Sequence, residues 1–146
     1  MLGDLTKREI IDFIEKQSIG RLGCHADNET YIVPINYISR ENVIYAHSGP
    51  GKKIDMMRKN PNVCFQIDDI KDTFRWKSVI VWGTYEELHG LERQQVMQGL
   101  LQKIMSVTDE HAKQPSHAID PSHYDNLIVY KISITEGTGK FESHQG

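Results

Sequence analysis

The stretch from Val43 to Pro61, Val-Ile-Tyr-Ala-His-Ser-Gly-Pro-Gly-Lys-Lys-Ile-Asp-Met-Met-Arg-Lys-Asn-Pro, constrains the fold more than any other. Val43 to Ala46 is β-branched and aromatic, the composition of a buried strand. Ser48-Gly49-Pro50-Gly51 stops it, because proline has no N–H to give a ladder and glycine favours turns. From Lys52 the apolar residues Ile54 and Met57 fall at helical spacing, and Asn60-Pro61 ends that helix. The helix therefore opens on two ammonium groups beside unpaired backbone N–H groups and the positive end of the helix dipole. Such an end suits a phosphate. By itself a Gly-Lys at a helix start is more often an ordinary turn followed by a solvated first turn. It is no Walker loop, since the four-residue gap between glycines and the Ser or Thr after the lysine are missing. Gly49-Pro50-Gly51 makes no dinucleotide fingerprint either.

The rest of the chain arranges itself around this unit. Thr6-Lys7-Arg8-Glu9 has capping-box spacing, and Ile10, Ile11 and Ile14 continue as a stripe, so a helix is expected over 6–17. Ser18 to His25 reads as a first strand, with Gly20 and Gly23 marking bulges or close approaches. Ala26-Asp27-Asn28-Glu29 is turn chemistry, and Thr30 to Ile38 returns as a second strand. On it Tyr31, Val33, Ile35 and Tyr37 share one face, while Pro34, which donates no ladder hydrogen bond, points to an edge or an exposed strip. After Pro61, Asn62 to Asp68 is a strand facing inward with Val63, Phe65 and Ile67. Asp69 to Thr73 is polar and reads as a loop. Arg75 to Leu88 is the longest strand, with Trp76, Ser78, Ile80, Trp82 and Thr84 alternating against Val79, Val81 and Tyr85.

Leu91 to Met105 is helical, its apolar rows being Val96, Leu100, Ile104 and Met97, Leu101, Met105. Thr108 to His123 reads as irregular. Tyr124 to Thr135 closes the fold as a strand with Ile128, Tyr130, Ile132 and Ile134 inward. Glu136 to Gly146 reads as a short extension and tail. Six strands with three helices between and around them fit a closed or split antiparallel barrel better than alternating βαβ units. The fold class is mainly β (α+β), and residues 1–146 form a single domain.

Composition excludes several functions. With 146 residues there is room for one core. A net charge of −3 and 25% charged residues offer no general surface for nucleic acid. No apolar run reaches the length of a membrane span, and Met1-Leu2-Gly3-Asp4 does not begin a signal peptide. Cys24 and Cys64 lack Cys-x-x-Cys spacing and fit buried free thiols, so the expected compartment is the cytoplasm. His111, His117 and His123 recur every six residues, a spacing that suits neither a helix face nor a zinc pair, and no metal site is expected. Asp68-Asp69 and Glu86-Glu87 read as solvated strand ends.

Four motifs in order carry a family resemblance: Val33-Pro34-Ile35-Asn36-Tyr37, Tyr45-Ala46-His47-Ser48 with Gly51-Lys52-Lys53, Asn60-Pro61-Asn62-Val63, and Trp76-Lys77-Ser78-Val79-Ile80-Val81-Trp82-Gly83. Together they resemble the pyridoxamine 5′-phosphate oxidase-like FMN-binding split β-barrel family, and within it the short nitroimidazole-resistance-type members. The resemblance covers about residues 5–90 well and the last third through a closing strand. It implies a six-stranded antiparallel split β-barrel with three flanking α-helices, and a homodimer with FMN between the protomers. Carried over by position, Lys52 and Lys53 hold the phosphate and Gly51 lets the backbone come close. Val33, Pro34, Ile35 and Asn36 face the ring system, His47 and Ser48 end a strand beside it, and Ser78 reaches the flavin's hydrogen-bonding edge with Val79 next to it. Relatives often have Arg where Lys52 stands, and lysine lacks the bidentate fork.

His47 has two open readings: an imidazole that hydrogen-bonds flavin or substrate or delivers a proton, or a strand-end residue without chemistry. Trp76 and Trp82 read as core or dimer-interface aromatics before they read as flanks of a planar ligand. True pyridoxamine phosphate oxidases need Arg and Trp near the C-terminus. Here the last arginine is Arg93 and the last tryptophan Trp82, which argues against vitamin B6 oxidation. The expected function is an FMN-dependent oxidoreductase acting on a small acceptor, nitro-aromatic compounds included, with the protein supplying binding, orientation and electrostatics. A flavin carrier without turnover, a haem-binding split barrel and a deazaflavin protein are the alternatives.

Overall fold

Thr6 caps the first helix as its spacing predicts. Its hydroxyl accepts from the Glu9 N–H at 3.2 Å, and the Glu9 carboxylate accepts from the Thr6 N–H at 2.9 Å. In this computed structural model, which describes residues 1–108 and 126–143, the elements follow in the order β1 (Leu2–Asp4), α1 (Lys7–Lys16), β2 (Ile19–Ala26), β3 (Glu29–Asn36), β4 (Ile38–Arg40), β5 (Val43–Ser48), α2 (Lys52–Lys59), β6 (Asn62–Asp72), β7 (Arg75–Glu87), α3 (Gly90–Thr108) and β8 (Ile128–Glu142). The irregular segment expected around His111, His117 and His123 lies outside the described residues, as do Tyr124 and Asp125.

All pairings are antiparallel, and the sheet runs β3-β2-β6-β7-β8-β5-β4, with β1 added against the end of β8. The two ends of that path, β3 and β4, are neighbours in sequence, separated by Tyr37. The sheet must therefore curl until its ends meet without pairing, which is a split barrel. Tyr37 bridges the split. Its ring is buried edge-on against Phe65 at 5.2 Å, and its hydroxyl donates to the Ile14 carbonyl of α1 at 2.6 Å. Lys103 of α3 donates to the Tyr37 and Gln17 carbonyls at 3.0 and 2.8 Å, so helices on both sides clasp the seam.

Strand alternation decides what lies inside. Val63, Phe65 and Ile67 of β6, Val79 and Val81 of β7, and Tyr130 and Ile132 of β8 fill the barrel, closed at one side by Ile10, Phe13 and Ile14 of α1. A second cluster, Val96, Met97 and Leu100 of α3 with Leu88 and Val129, packs outside it against Tyr45 and Ile38. Gly20 is a close approach: a Cβ there would sit 2.2 Å from the Phe65 ring.

The six expected strands are present, and the sheet has two more, the short β1 and β4. Three boundaries need correction. The strand expected over 30–38 ends at Asn36, and beyond Tyr37 the chain starts β4 at Ile38, which pairs with β5 instead of β2. The loop expected over 69–73 is the continuation of β6 to Asp72, whose last residues are exposed on both faces and so carry no apolar alternation. The tail expected from Glu136 is strand as far as Glu142, paired to β7 from Trp82↔Glu136 to Trp76↔Glu142 and, at its end, to β1. It reads as tail because it is Gly-rich, yet a Cβ at Gly139 would lie 2.9 Å from the Leu5 side chain. Packing against the α1 entry excludes the side chains that would have signalled a strand.

Candidate functional site

The strand-to-helix corner forms as its residue types dictate. The side chain of Ser48 is buried and its hydroxyl donates to the Gly49 carbonyl at 2.7 Å, closing β5. Gly51 occupies the N-cap of α2 and provides no side-chain cap; the first intrahelical bond is Asp55 N–H to the Gly51 carbonyl at 3.0 Å. The preceding N–H groups of the first turn thus have no helix partner. Among the described residues, a Cβ at Gly49 or Gly51 would meet nothing within 4 Å. Arg58 at the other end of α2 donates to Glu87 of β7 at 2.5 Å, and Glu87 also accepts from the Tyr85 hydroxyl at 2.8 Å. That network fixes the helix on the barrel end, and makes Glu87 more than a solvated strand end.

The two lysines are not equivalent. Lys52 is ion-paired to Glu29 of β3 and stands 5.0 Å from the centroid of the Tyr31 ring. The Glu29 carboxylate holds the Lys52 ammonium above its ordinary pKa. Lys53 is half-buried and, among the described residues, has neither ion pair nor hydrogen bond. Its positive field reaches His47 of β5 and Cys24 of β2. Burial first, and then Lys53, push the His47 imidazole below its ordinary value, so it is neutral at neutral pH. Because the folded value is the lower one, neutral His47 stabilises the fold above about pH 6.5, and that contribution is lost as pH falls from there toward the folded value.

The corner therefore gathers Gly51, Lys52, Lys53, His47 and Ser48 with the beginning of β3. The second half of β3 contributes differently. Among the described residues β3 is an edge strand, paired to β2 alone, which leaves part of its backbone without a strand partner there. Pro34 and Asn36 are exposed, whereas the Val33 and Ile35 side chains pack into the barrel and leave only their backbone available. Ser78 and Val79 are not part of this corner within the chain. Ser78 lies on the outward face of β7, accepting from the Gln66 side chain at 3.2 Å, and the Val79 side chain is wholly buried in the core. The outward face around Ser78 is apolar for an exposed surface: Ile19, Ile32, Ile80 and Trp82 are 61%, 65%, 37% and 41% exposed. Cys64 is half-buried on this same face, in a groove of about 450 Å³ with Gly23 and Trp82, so it is not the fully buried thiol expected; Cys24 is. Trp76 donates to Glu142 at 3.1 Å, and neither tryptophan belongs to the protomer's core.

Glu29 and Tyr31 were not singled out by sequence. Their signal is visible in retrospect, because residues two apart on a strand share a face and these two face α2. Among the described residues no three His, Cys, Asp or Glu side chains are grouped to hold a metal, and no helix is long and apolar enough to cross a membrane.

An open antiparallel split barrel with a dibasic helix start defines a class of small barrel proteins, and comparison with known proteins narrows it. Residues 6–141 match the family model described as pyridoxamine 5′-phosphate oxidase, and the chain belongs to that family. The solved structure of a FAD-binding protein from Mesorhizobium loti is 31% identical, covers 98% of this chain and 99% of its own, and superposes with a TM-score of 0.76. A candidate 5-nitroimidazole antibiotic resistance protein from Bacteroides thetaiotaomicron, 21% identical over 97% of this chain and 87% of its own, has the same fold with a TM-score of 0.73. An uncharacterised protein of Rhizobium meliloti (strain 1021) is 42% identical over 84 residues, 58% of this chain, and the match spans about half (56%) of that relative's length.

Proposed function

We propose that this chain is a cytoplasmic FMN-binding flavoprotein that acts as an oxidoreductase on a small acceptor, nitro-aromatic compounds included. The observation that carries the reading is Lys53: a half-buried lysine without a counter-ion among the described residues, at a helix start with no side-chain cap. The donor set fits a phosphate: the helix start combines backbone N–H groups without a helix partner and two lysines, and no described residue would lie within 4 Å of a Cβ on the loop glycines. When bound, flavin supplies the redox chemistry, taking up an electron pair from a donor and passing it to an acceptor. The chain's own share is to hold the phosphate on Lys53 and the α2 N–H groups, and to lay free β3 backbone along the ring. His47 offers a neutral imidazole, which can donate one hydrogen bond and accept another but is no proton donor at neutral pH. A homodimer completes the site in this reading: a second copy covers the exposed face of Ile19, Ile32, Ile80 and Trp82 and brings its Ser78 to the flavin edge.

The test starts from purified protein. A yellow protein that releases FMN on denaturation, has the mass of a dimer by light scattering, and is reduced by a nicotinamide donor and reoxidised by a nitroimidazole is the expected result. Flavin bound without turnover would leave a carrier. An intense Soret band, or a released deazaflavin, would overturn the reading. Released FAD is the second reading, favoured by the name of the Mesorhizobium loti relative, a FAD-binding protein.

His47 gives an independent readout. A phosphate on Lys53 neutralises one of the two causes that lower the His47 pKa. FMN is therefore expected to raise that pKa relative to riboflavin, which carries no phosphate, followed by the imidazole proton resonances across pH 5 to 8. Equal responses to both flavins would place the phosphate away from Lys53.

A further inference from the structure

The corner contains its own counter-ion, a role that depends on the proposed reading of that corner as the phosphate site. Asp27 and Asn28 both have positive φ, 52° and 62°, the backbone of a two-residue hairpin turn between β2 and β3. So short a turn fixes the register of the residues on either side. It places Glu29 and Tyr31 on the face toward α2, with Lys52 held between carboxylate and ring. Asp27, at the tip, pairs with Lys59 of α2 at 2.6 Å. Two ion pairs thus strap the hairpin to the helix. Between them lies a cleft of about 360 Å³ lined by three carboxylates, Asp27, Glu29 and Asp55, against two ammonium groups, Lys52 and Lys59. An incoming phosphate group meets attraction at Lys53 and the helix N–H groups and an already neutralised cation at Lys52.

We propose that Glu29 is a specificity-determining residue of this site: an internal anion that occupies Lys52 until a phosphate-bearing ligand displaces it. The phosphate and the Glu29 carboxylate compete for one ammonium group, so Glu29 lowers affinity for flavins that carry phosphate and leaves flavins without it untouched. Both partners are exposed, 51% and 52%, so the competition is screened by salt. The exchange makes flavin loading reversible and sensitive to ionic strength. It also distinguishes Lys52, a conditional ligand, from Lys53, a standing one.

The experiment titrates flavin-free protein with FMN, with riboflavin and with inorganic phosphate as competitor, reading flavin fluorescence. Glu29→Gln keeps the side-chain shape at an exposed position and leaves the core alone. It is expected to tighten FMN about two- to fivefold at low salt, to leave riboflavin unchanged, and to lose most of that gain in high salt. Inorganic phosphate should compete more strongly in the variant. FMN affinity unchanged or weakened in Glu29→Gln, while Lys53→Ala still weakens FMN selectively, would overturn the inference and leave the corner standing; a weakened value would mean that Glu29 positions Lys52 instead of competing for it. If Lys52→Ala and Lys53→Ala both leave the FMN-to-riboflavin ratio unchanged, the phosphate binds elsewhere and both the corner and the inference fall.

Discussion

Lys53→Ala is expected to weaken FMN binding about five- to thirtyfold, the loss of one charge-assisted contact worth ~1–2 kcal/mol at a half-buried position. Riboflavin, which lacks the phosphate, should bind as before. The size follows from what each ammonium is doing beforehand. Lys53 has no counter-ion among the described residues, so a phosphate gains its full field. Lys52 is already neutralised by Glu29, and its removal has a different consequence: it leaves the Glu29 carboxylate facing the ligand alone. Lys52→Ala should therefore weaken FMN less than Lys53→Ala, by about two- to fivefold, and adding Glu29→Gln in the same chain should recover most of it. No such recovery is expected when Glu29→Gln is combined with Lys53→Ala. A titration in which the two lysines prove interchangeable would remove the distinction drawn between them and, with it, the electrostatic account of the corner.

What could be read from sequence at this corner was local, and what could not was tertiary. A strand, a Gly-Pro-Gly stop and a dibasic helix start lie within nineteen consecutive residues, and the structure reproduces them as β5 and α2. Which lysine is free depends on a hairpin tip more than twenty residues earlier, and no local pattern reports that Glu29 reaches Lys52. The same division holds for the fold. The capping box of α1 and the alternation of β7 are written in neighbouring residues and appear as expected. The second half of β8 is not, because its glycines are there to admit Leu5 and α1, and a strand emptied of side chains looks like a tail. Tyr37 was legible as an inward residue, expected on the second strand, and the structure buries it just past the end of β3. That it sits in the seam, tied to Ile14 and Lys103, depends on which strands end the sheet, and that is a property of the whole chain. Ser78 and Val79 were named by resemblance; of their side chains, that of Ser78 lies on the outward face and that of Val79 in the core.

The largest effect on stability is expected from Gly83→Ala. Gly83 closes the Trp-Gly motif of β7, and the resemblance that singled it out gave no reason for it. The reason is β8. At this point the register between the two strands shifts: Trp82 pairs with Glu136 and Gly83 with Ile134, leaving Thr135 as an extra residue whose hydroxyl donates to the Trp82 carbonyl at 3.2 Å. The bulge draws the β8 backbone over Gly83. A Cβ there would lie 2.5 Å from the Ser133 carbonyl oxygen and 2.8 Å from the Ile132 side chain, which is itself wholly buried. Neither neighbour can rotate away, because one is backbone in the central ladder and the other is packed in the core. The methyl group must push β7 and β8 apart, at a cost of about 3 kcal/mol or more, a fall in Tm of roughly 10 °C for a chain of this size. Gly49→Ala is the matched control: among the described residues its Cβ would meet nothing within 4 Å, so stability should change by less than about 0.5 kcal/mol. Thermal unfolding of the two variants, followed by circular dichroism, separates a steric requirement from a general preference for glycine. If Gly83→Ala melted like Gly49→Ala, the close crossing of β7 and β8 would be wrong, and with it the bulge that sets the register of the outward face carrying Ser78 and Trp82.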